Sequence, residues 1–367
     1  MKILMVTTHL EMGGIPVYAV NLARGLKSKG HLPILASSGG WFESLLKKEG
    51  IRHVKISSQT SSELNPSLWF SAFPRLLRLV RKERPDLLHA HTRVAQLLSW
   101  AVSSFTGIPF VTTCHGLYQY RLGRRIFHCW GKWVMAVSAS TREELLKHDR
   151  SISPHQVILI RNGIEMTPFL ERADQEKVRQ YKEAIGLRGA PIVGAIARLS
   201  PVKGLDTLIR VLPRLVPQFP RLQLLLVGSG PAKSDLVRLA YSLGVAEHVV
   251  MTPSVEDTRI PLAAMQLFLA PSHQEGFGLA IVEAMAAGVA VVATRNGGPS
   301  EIIQDGKSGL LVPPGDPEPW EEAIRTLLND SALREKFQET ARQRAQEEFD
   351  MKRVVEEVED VYAKTVA

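Results

Sequence analysis

Cysteine is scarce. Cys114 and Cys129 are two in 367 residues, too few for a disulfide framework and without metal-ligand spacing, which fits a reducing compartment. No apolar run approaches the about 18 residues of a membrane span. The opening Met1-Lys2-Ile3-Leu4-Met5-Val6 is too short for a signal-peptide core and runs on to His9 and Glu11. The expectation is a cytoplasmic chain. Repeats and low-complexity tracts are absent. Two phosphate-binding fingerprints begin and are not completed. Gly228-Ser229-Gly230-Pro231 follows a strand-like run, but Lys233 stands where a dinucleotide fingerprint needs its third glycine. Gly306-Lys307-Ser308 lacks the earlier glycine of a P-loop, because Glu301 occupies that place. Both failures count against simple oxidoreductase and nucleotide-hydrolase readings.

What is present is ordinary in amount: 45% apolar and 22% charged residues, as in a soluble globular protein. The length exceeds one typical core and favours two domains. The net charge of +8 is unevenly spread. Residues 1–170 hold 22 Lys+Arg against 10 Asp+Glu, and residues 171–367 hold 23 against 27. A basic first half suits an anionic partner, nucleic acid or a phospholipid surface, or is simply a solvated basic face. Ser67–Arg84 reads as a helix with Arg75, Arg78, Arg81, Lys82 and Arg84 beside Trp69, Phe70, Phe73 and Leu76. That pattern suits an anionic membrane interface and also an ordinary packed helix with a wet basic side. Tyr118–Trp133 is a second such stretch, with Arg121, Arg124, Arg125 and Lys132 among Tyr118, Tyr120, Phe127, Trp130 and Trp133. It would also suit a single-stranded nucleic acid, but no RNA-recognition signature accompanies it, so nucleic acid is not expected.

Strand-like runs and helical periods alternate along the chain. They begin with Lys2–Thr8, Leu32–Ser37 and Ile51–Ile56, and restart at Pro191–Ala197 after a charged stretch. The fold class is therefore α/β, two Rossmann-like doubly wound parallel-sheet domains facing across a cleft. The domains are placed at 1–170 and 171–349, with the linker in the charged, Pro168-containing stretch near 166–185. Gln59–Pro66 reads as a polar loop. Ligands of such sheets meet the loops at the carboxyl ends of the strands. Gly13-Gly14 after the first strand and His115-Gly116 after Phe110–Cys114 lie at such ends. His89 and His91 lack further ligand-like neighbours, and no metal site is expected. Arg198 and Lys203, five apart after the strand Pro191–Ala197, can clamp a diphosphate, Arg as a planar fork and Lys as a point charge.

The organising stretch is Pro271–Glu283, Pro-Ser-His-Gln-Glu-Gly-Phe-Gly-Leu-Ala-Ile-Val-Glu. It follows the apolar run Leu267–Ala270 and opens a helix over Leu279–Ala287. Gly276 and Gly278 allow a tight turn and close approach to a ligand. The first amides of the helix favour an anion. Glu283 lies in a helix that is apolar on nearly every side, so it needs a basic neighbour, a loop to cap, or a ligand such as a ribose diol.

Glu275 and Glu283, with seven residues between them and Glu-Gly-Phe-Gly-Leu within, closely resemble the retaining GT-B-fold glycosyltransferases of the group 1 type. Ala197-Arg198-Leu199-x3-Lys203-Gly204, His115-Gly116 and Asn296-Gly297-Gly298-Pro299-Ser300-Glu301 match further motifs, with Ala197 where that family often has glycine. The resemblance implies that Glu275 contacts the donor sugar and Glu283 the nucleotide ribose. It sets the turn amides of Gly276, Phe277, Gly278 and Leu279 near the sugar and diphosphate. Arg198 and Lys203 would bind the diphosphate, and His115 and Gly116 the sugar or phosphate. Gly228 would lie near the nucleotide and Ser254 and Val255 at the base, with Gly13 and Gly14 also on the donor side. The helix over about 350–367 would cross back to the first domain. The activity implied is transfer, with retention, from a nucleotide-diphosphate sugar, UDP- or GDP-linked, to a glycan or lipid-linked acceptor of the cell envelope, without metal or cofactor. Tyr118–Trp133 would line the acceptor side, and peripheral membrane attachment would follow from the basic half. A sugar-nucleotide epimerase of related fold and a non-catalytic basic binding protein are the alternatives.

Overall fold

Runs of Val, Ile, Leu and Ala with few polar interruptions form strands covered on both faces, which is the pattern of a parallel sheet between helices. The computed structural model describes residues 1–56, 65, 68–116, 128–188 and 190–367. Asn65 apart, the Gln59–Pro66 loop lies outside these residues, as do Tyr118, Tyr120, Arg121, Arg124, Arg125 and Phe127. The chain divides into two units, Met1–Gly163 with Met351–Ala367, and Ile164–Asp350.

Unit 1 holds β1 (Lys2–Val6), β2 (Leu32–Ser37), β3 (Arg52–Lys55), β4 (Leu87–Ala90), β5 (Phe110–Cys114), β6 (Val134–Ala136) and β7 (Val157–Leu159). Their order is β3-β2-β1-β4-β5-β6-β7, and every neighbouring pair is parallel. Unit 2 holds β8 (Ile192–Ile196), β9 (Gln223–Val227), β10 (Val249–Thr252), β11 (Leu267–Ala270), β12 (Ala290–Thr294) and β13 (Leu310–Val312), ordered β10-β9-β8-β11-β12-β13 and again parallel. Each sheet reverses its winding once, between β1 and β4 and between β8 and β11. Loops leaving two such strands part to opposite sides, and the gap at their carboxyl ends is where doubly wound sheets bind ligands.

In unit 1 the helix Gly14–Ser28 lays Tyr18, Leu22 and Leu26 against Val354, Val355, Val358 and Tyr362 of the helix Met351–Val366. The approach is close at Gly25, where an added Cβ would lie 2.4 Å from Val355 Cγ2. The helix predicted over Ser67–Arg84 is two elements. A wider π-type turn over Leu68–Ala72 precedes the helix Phe73–Glu83, because Pro74 has no amide to continue a ladder and is tolerated only in a first turn. Leu76, Leu79 and Val80 are buried, while Arg75, Arg78, Arg81 and Lys82 face out. Phe70 is 85% exposed. Among the described residues no helix is long and apolar enough to cross a membrane.

Unit 2 packs Leu208, Leu212, Leu224 and Phe337 around a fully buried Trp320. Its edge falls at Ile164, whose amide donates to the Phe349 carbonyl at 2.9 Å and which bridges to Asp350. That is seven residues before the boundary read from the sequence. The stretch 166–185, where the sequence places the linker, holds the helices Thr167–Leu170 and Gln175–Ala184. Asp174 caps the second, accepting from the amides of Glu176 and Lys177. Only Val178 of that helix is buried, so it carries almost no apolar period to read.

Candidate active site

The winding reversal of unit 2 brings together the two loops singled out in sequence. After β8 the chain runs through Arg198 to Lys203 and the helix Leu205–Leu215, and after β11 it runs through Ser272 to Glu275 and the helix Leu279–Ala286. Gly204 sits at φ 60, and an added Cβ would lie 2.2 Å from the Pro271 carbonyl oxygen, so the loops touch backbone to backbone. The His273 amide donates to the Val202 carbonyl at 2.9 Å. Across this seam Lys203 Nζ donates to Glu275 Oε2 at 2.5 Å, and the Ser272 hydroxyl donates to the same oxygen at 3.2 Å. The pair keeps partial exposure, so cation and carboxylate are held in place and remain open to a solute. Arg198 is exposed, and its side chain makes no hydrogen bond or ion pair among the described residues, while its carbonyl accepts from the Ser200 amide at 2.9 Å. The loop orients Lys203 and leaves the Arg198 side chain exposed.

The Glu275 turn is braced from β12. Asn296 Nδ2 donates to the carbonyls of Ser272 at 2.6 Å and His273 at 3.0 Å, and the Gly298 amide donates to the Glu275 carbonyl at 3.2 Å. Phe277 is buried edge-on against Phe349, ring centroids 5.7 Å apart. Gly278 caps the next helix at φ 113, a left-handed conformation that only glycine adopts cheaply. Leu279 follows as the first helical residue, with Gly276 beside it in the turn. The helix start points its amides and positive dipole end toward this turn. On the other side, Gly228 and Gly230 pack on the Arg198 loop. A Cβ on Gly228 would lie 1.9 Å from the Ala197 carbonyl oxygen, and one on Gly230 2.2 Å from that of Leu199. Ser254 and Val255 are half-buried just past the end of β10.

Glu283 lies in the helix Leu279–Ala286. Burial dominates its ionisation and pushes the carboxyl up to about 7. The Thr258 hydroxyl works the other way, and the charge of Asp257 adds to the rise. Arg259 grips Asp257 through two 2.8 Å hydrogen bonds and holds its carboxyl below the usual range. Sequence reasoning missed Asp257 and Thr258, since nothing in their spacing ties them to Glu283. A Glu with a raised folded pKa binds more protons folded than unfolded between its ordinary value, about 4.3, and about 7. Stability therefore falls as pH rises through that window. Glu283→Gln is expected to melt like the parent at pH 4 and to be more stable at pH 8, by up to about 4 kcal/mol. Calorimetry at the two pH values checks this, and equal stability at pH 8 would refute the raised pKa.

In unit 1 Gly13 and Gly14 open the helix after β1. A Cβ on Gly13 would meet only Pro16 Cδ, at 3.9 Å, so intrachain packing does not demand glycine there. His115 and Gly116 follow β5, both half-buried. Burial pushes His115 down to about 3, so the ring is neutral. It is not alone: His91, just past β4, places Nδ1 3.3 Å from His115 Nε2, and Tyr18 stands edge-on to His115 with centroids 4.9 Å apart. His89 and His91, dismissed in sequence as metal ligands, are thus neighbours of a predicted site residue. Among the described residues no group of three or more His, Cys, Asp or Glu is placed to hold a metal ion.

Residues 178–344 match the family described as glycosyl transferases group 1, and residues 12–167 the one described as glycosyltransferase family 4. The GDP-mannose-dependent alpha-(1-6)-phosphatidylinositol monomannoside mannosyltransferase of Mycolicibacterium smegmatis is 39% identical over 166 residues, 43% of this chain and 44% of that protein. The chain thus matches under half the length of that relative. The N-acetyl-alpha-D-glucosaminyl L-malate synthase of Bacillus anthracis is 26% identical over 97% of this chain and 95% of its own. Among solved structures, Anabaena HepE in complex with UDP and glucose aligns with a TM-score of 0.87 at 21% identity, covering 99% of each chain. A Rickettsia africae glycosyltransferase aligns at 0.84 with 23% identity, covering 100% of this chain and 98% of its own. The fold shared with these structures, two Rossmann-like parallel-sheet units, is GT-B.

Proposed function

The chain belongs to the group 1 glycosyltransferases, and from that premise we infer that it moves a sugar from a nucleotide-diphosphate sugar to an acceptor with retention at the anomeric carbon. The observation that carries this reading is the Lys203–Glu275 pair at the β8/β11 reversal, beside the start of the helix Leu279–Ala286. As the bond between the anomeric carbon and the diphosphate breaks, negative charge grows on the leaving oxygens. Lys203, Arg198 and the amides of the Gly276–Leu279 turn meet that charge in place, where preorganised donors contribute most. Glu275 takes the sugar hydroxyls and Glu283 the ribose diol. The Gly228 turn, Ser254 and Val255 flank the nucleotide. The acceptor oxygen attacks from the face the diphosphate leaves, and its proton passes to a leaving phosphate oxygen, so neither a carboxylate nucleophile nor a metal is required. His115 and Gly116 contact the donor sugar or phosphate, as the family resemblance implies, with Gly13 and Gly14 on the same donor side.

The donor is read as UDP- or GDP-linked; the mannosyltransferase relative is described as GDP-mannose-dependent, and HepE is described with UDP and glucose. The acceptor is proposed to be a lipid-linked or cell-envelope glycan. The outward Arg75, Arg78, Arg81 and Lys82, beside the exposed Phe70, support contact with an anionic membrane face. A panel of UDP-, GDP- and ADP-sugars is expected to raise Tm with one nucleotide class well above the others, and radiolabel from that donor to appear in an acceptor with its anomeric configuration kept. An inverted product would end the retaining reading. Stabilisation with epimerised donor and no transfer would put an epimerase in its place.

A further inference from the structure

We propose that His91 is a positioning residue for His115, fixing the tautomer in which His115 carries its ring hydrogen on Nδ1. His91 is fully buried, and its Nδ1 lies 3.3 Å from His115 Nε2. Burial keeps both rings neutral near pH 7, with His91 pushed well below the ordinary histidine value. A neutral imidazole has one N–H and one bare nitrogen, so the contact has a direction: one ring donates and the other accepts.

Two arrangements satisfy it. If His115 donates through Nε2, His91 accepts at Nδ1 and must carry its own hydrogen on Nε2. That nitrogen is buried and has no hydrogen-bond partner among the described residues. An N–H sealed away from water without an acceptor is the costlier orphan and the rarer one. If His91 donates through Nδ1, its Nε2 is a bare nitrogen and no buried donor is stranded. His115 then accepts at Nε2 and holds its hydrogen on Nδ1. Anything meeting His115 Nδ1 must accept a hydrogen bond, as a hydroxyl or phosphoryl oxygen does.

The surroundings keep both rings in register. The His89 ring lies 4.0 Å from that of His91 and is itself pinned, Nδ1 to the Tyr362 hydroxyl at 2.6 Å and Nε2 to the Thr113 hydroxyl at 2.7 Å. Tyr18 stands edge-on to His91 as well as to His115. Both rings are thus flanked by packed aromatic neighbours.

The tautomer part stands on unit 1 alone; its effect on transfer rests on the reading of His115 as a donor-binding residue. The test uses the full chain labelled with ¹⁵N-histidine. Two-bond nitrogen–proton correlations are expected to place the His115 hydrogen on Nδ1. His91→Phe, which keeps a ring in the stack and removes the donor, is expected to lose that preference. Its kcat should fall about tenfold, the equivalent of one hydrogen bond, with KM moved less than about twofold. His91→Asn, whose amide can donate from about the same place, is expected to restore both the spectrum and most of the rate. A wild-type His115 protonated on Nε2 would overturn the proposal even if no variant folds, as would an unchanged tautomer in folded His91→Phe. A changed tautomer with unchanged transfer would uphold the proposal and remove His115 from the donor site.

Discussion

Lys203→Ala is expected to lower kcat/KM for transfer on the order of 10²-fold while the chain keeps its fold. The side chain comes from a short turn and is partly exposed, so its loss opens no cavity in the core. Glu275 keeps the Ser272 hydroxyl and stays in contact with water, so it is not stranded as a buried charge. What disappears is the cation that the proposed mechanism sets against the charge of the leaving diphosphate. Donor affinity by calorimetry should fall with the rate, because a ground-state diphosphate already carries charge for Lys203 to meet. Unchanged affinity and rate would take Lys203 out of the site. Arg198→Ala is expected to act in the same direction, but with less effect on the shape of the turn, since the exposed Arg198 side chain makes no hydrogen bond or ion pair among the described residues.

Gly298→Ala has the second large expected effect, and it acts through backbone. A Cβ there would lie 2.1 Å from the Phe277 carbonyl oxygen and 2.3 Å from Phe277 Cα, with no flexible side chain to give way. The Glu275–Gly278 turn must move, and with it the start of the helix that follows. Overpacking of this kind costs about 1–3 kcal/mol, which lowers Tm by roughly 2–12 °C for a unit of this size. A displacement near 1 Å at positioning groups costs on the order of 10² in rate, so activity should suffer more than stability. A variant that melts lower yet transfers sugar at the parental rate would show that the turn tolerates displacement.

The parts of this site that were legible in sequence share one property: they are glycines and charges placed just after strands. Gly276, Gly278, Lys203 and Glu275 announce themselves because a doubly wound sheet puts every such loop on one edge, and the strand order decides only which loops meet. The seam itself was not legible. Lys203 and Glu275 are 72 residues apart, and only the β8/β11 pairing makes them partners. The same holds for His91 and His115, 24 residues apart in neighbouring loops. His91 was visible, but a histidine in isolation gives no sign of which ring it will face. Asp257 and Thr258 reach Glu283 from the loop after β10, and neither carries a motif of its own. Asn296 sat inside a recognised run, yet its service as a brace for the Ser272 and His273 carbonyls depends on β12 lying beside β11. The helix Gln175–Ala184 escaped because it buries almost nothing, and the Leu68–Ala72 turn because periodicity alone does not distinguish a widened helical turn from a regular one.

The helix Met351–Val366 has a bearing on how the molecule is made. Unit 1 is discontinuous in the chain, and its core lacks Val354, Val355, Val358 and Tyr362 until those residues have been translated. Unit 2 is a single stretch and needs no residue from beyond its own span. At about 5–20 residues per second, the first 163 residues wait roughly 10–40 s for their missing wall. The nascent early half, with His89 still lacking Tyr362, is therefore where a chaperone would find exposed apolar surface.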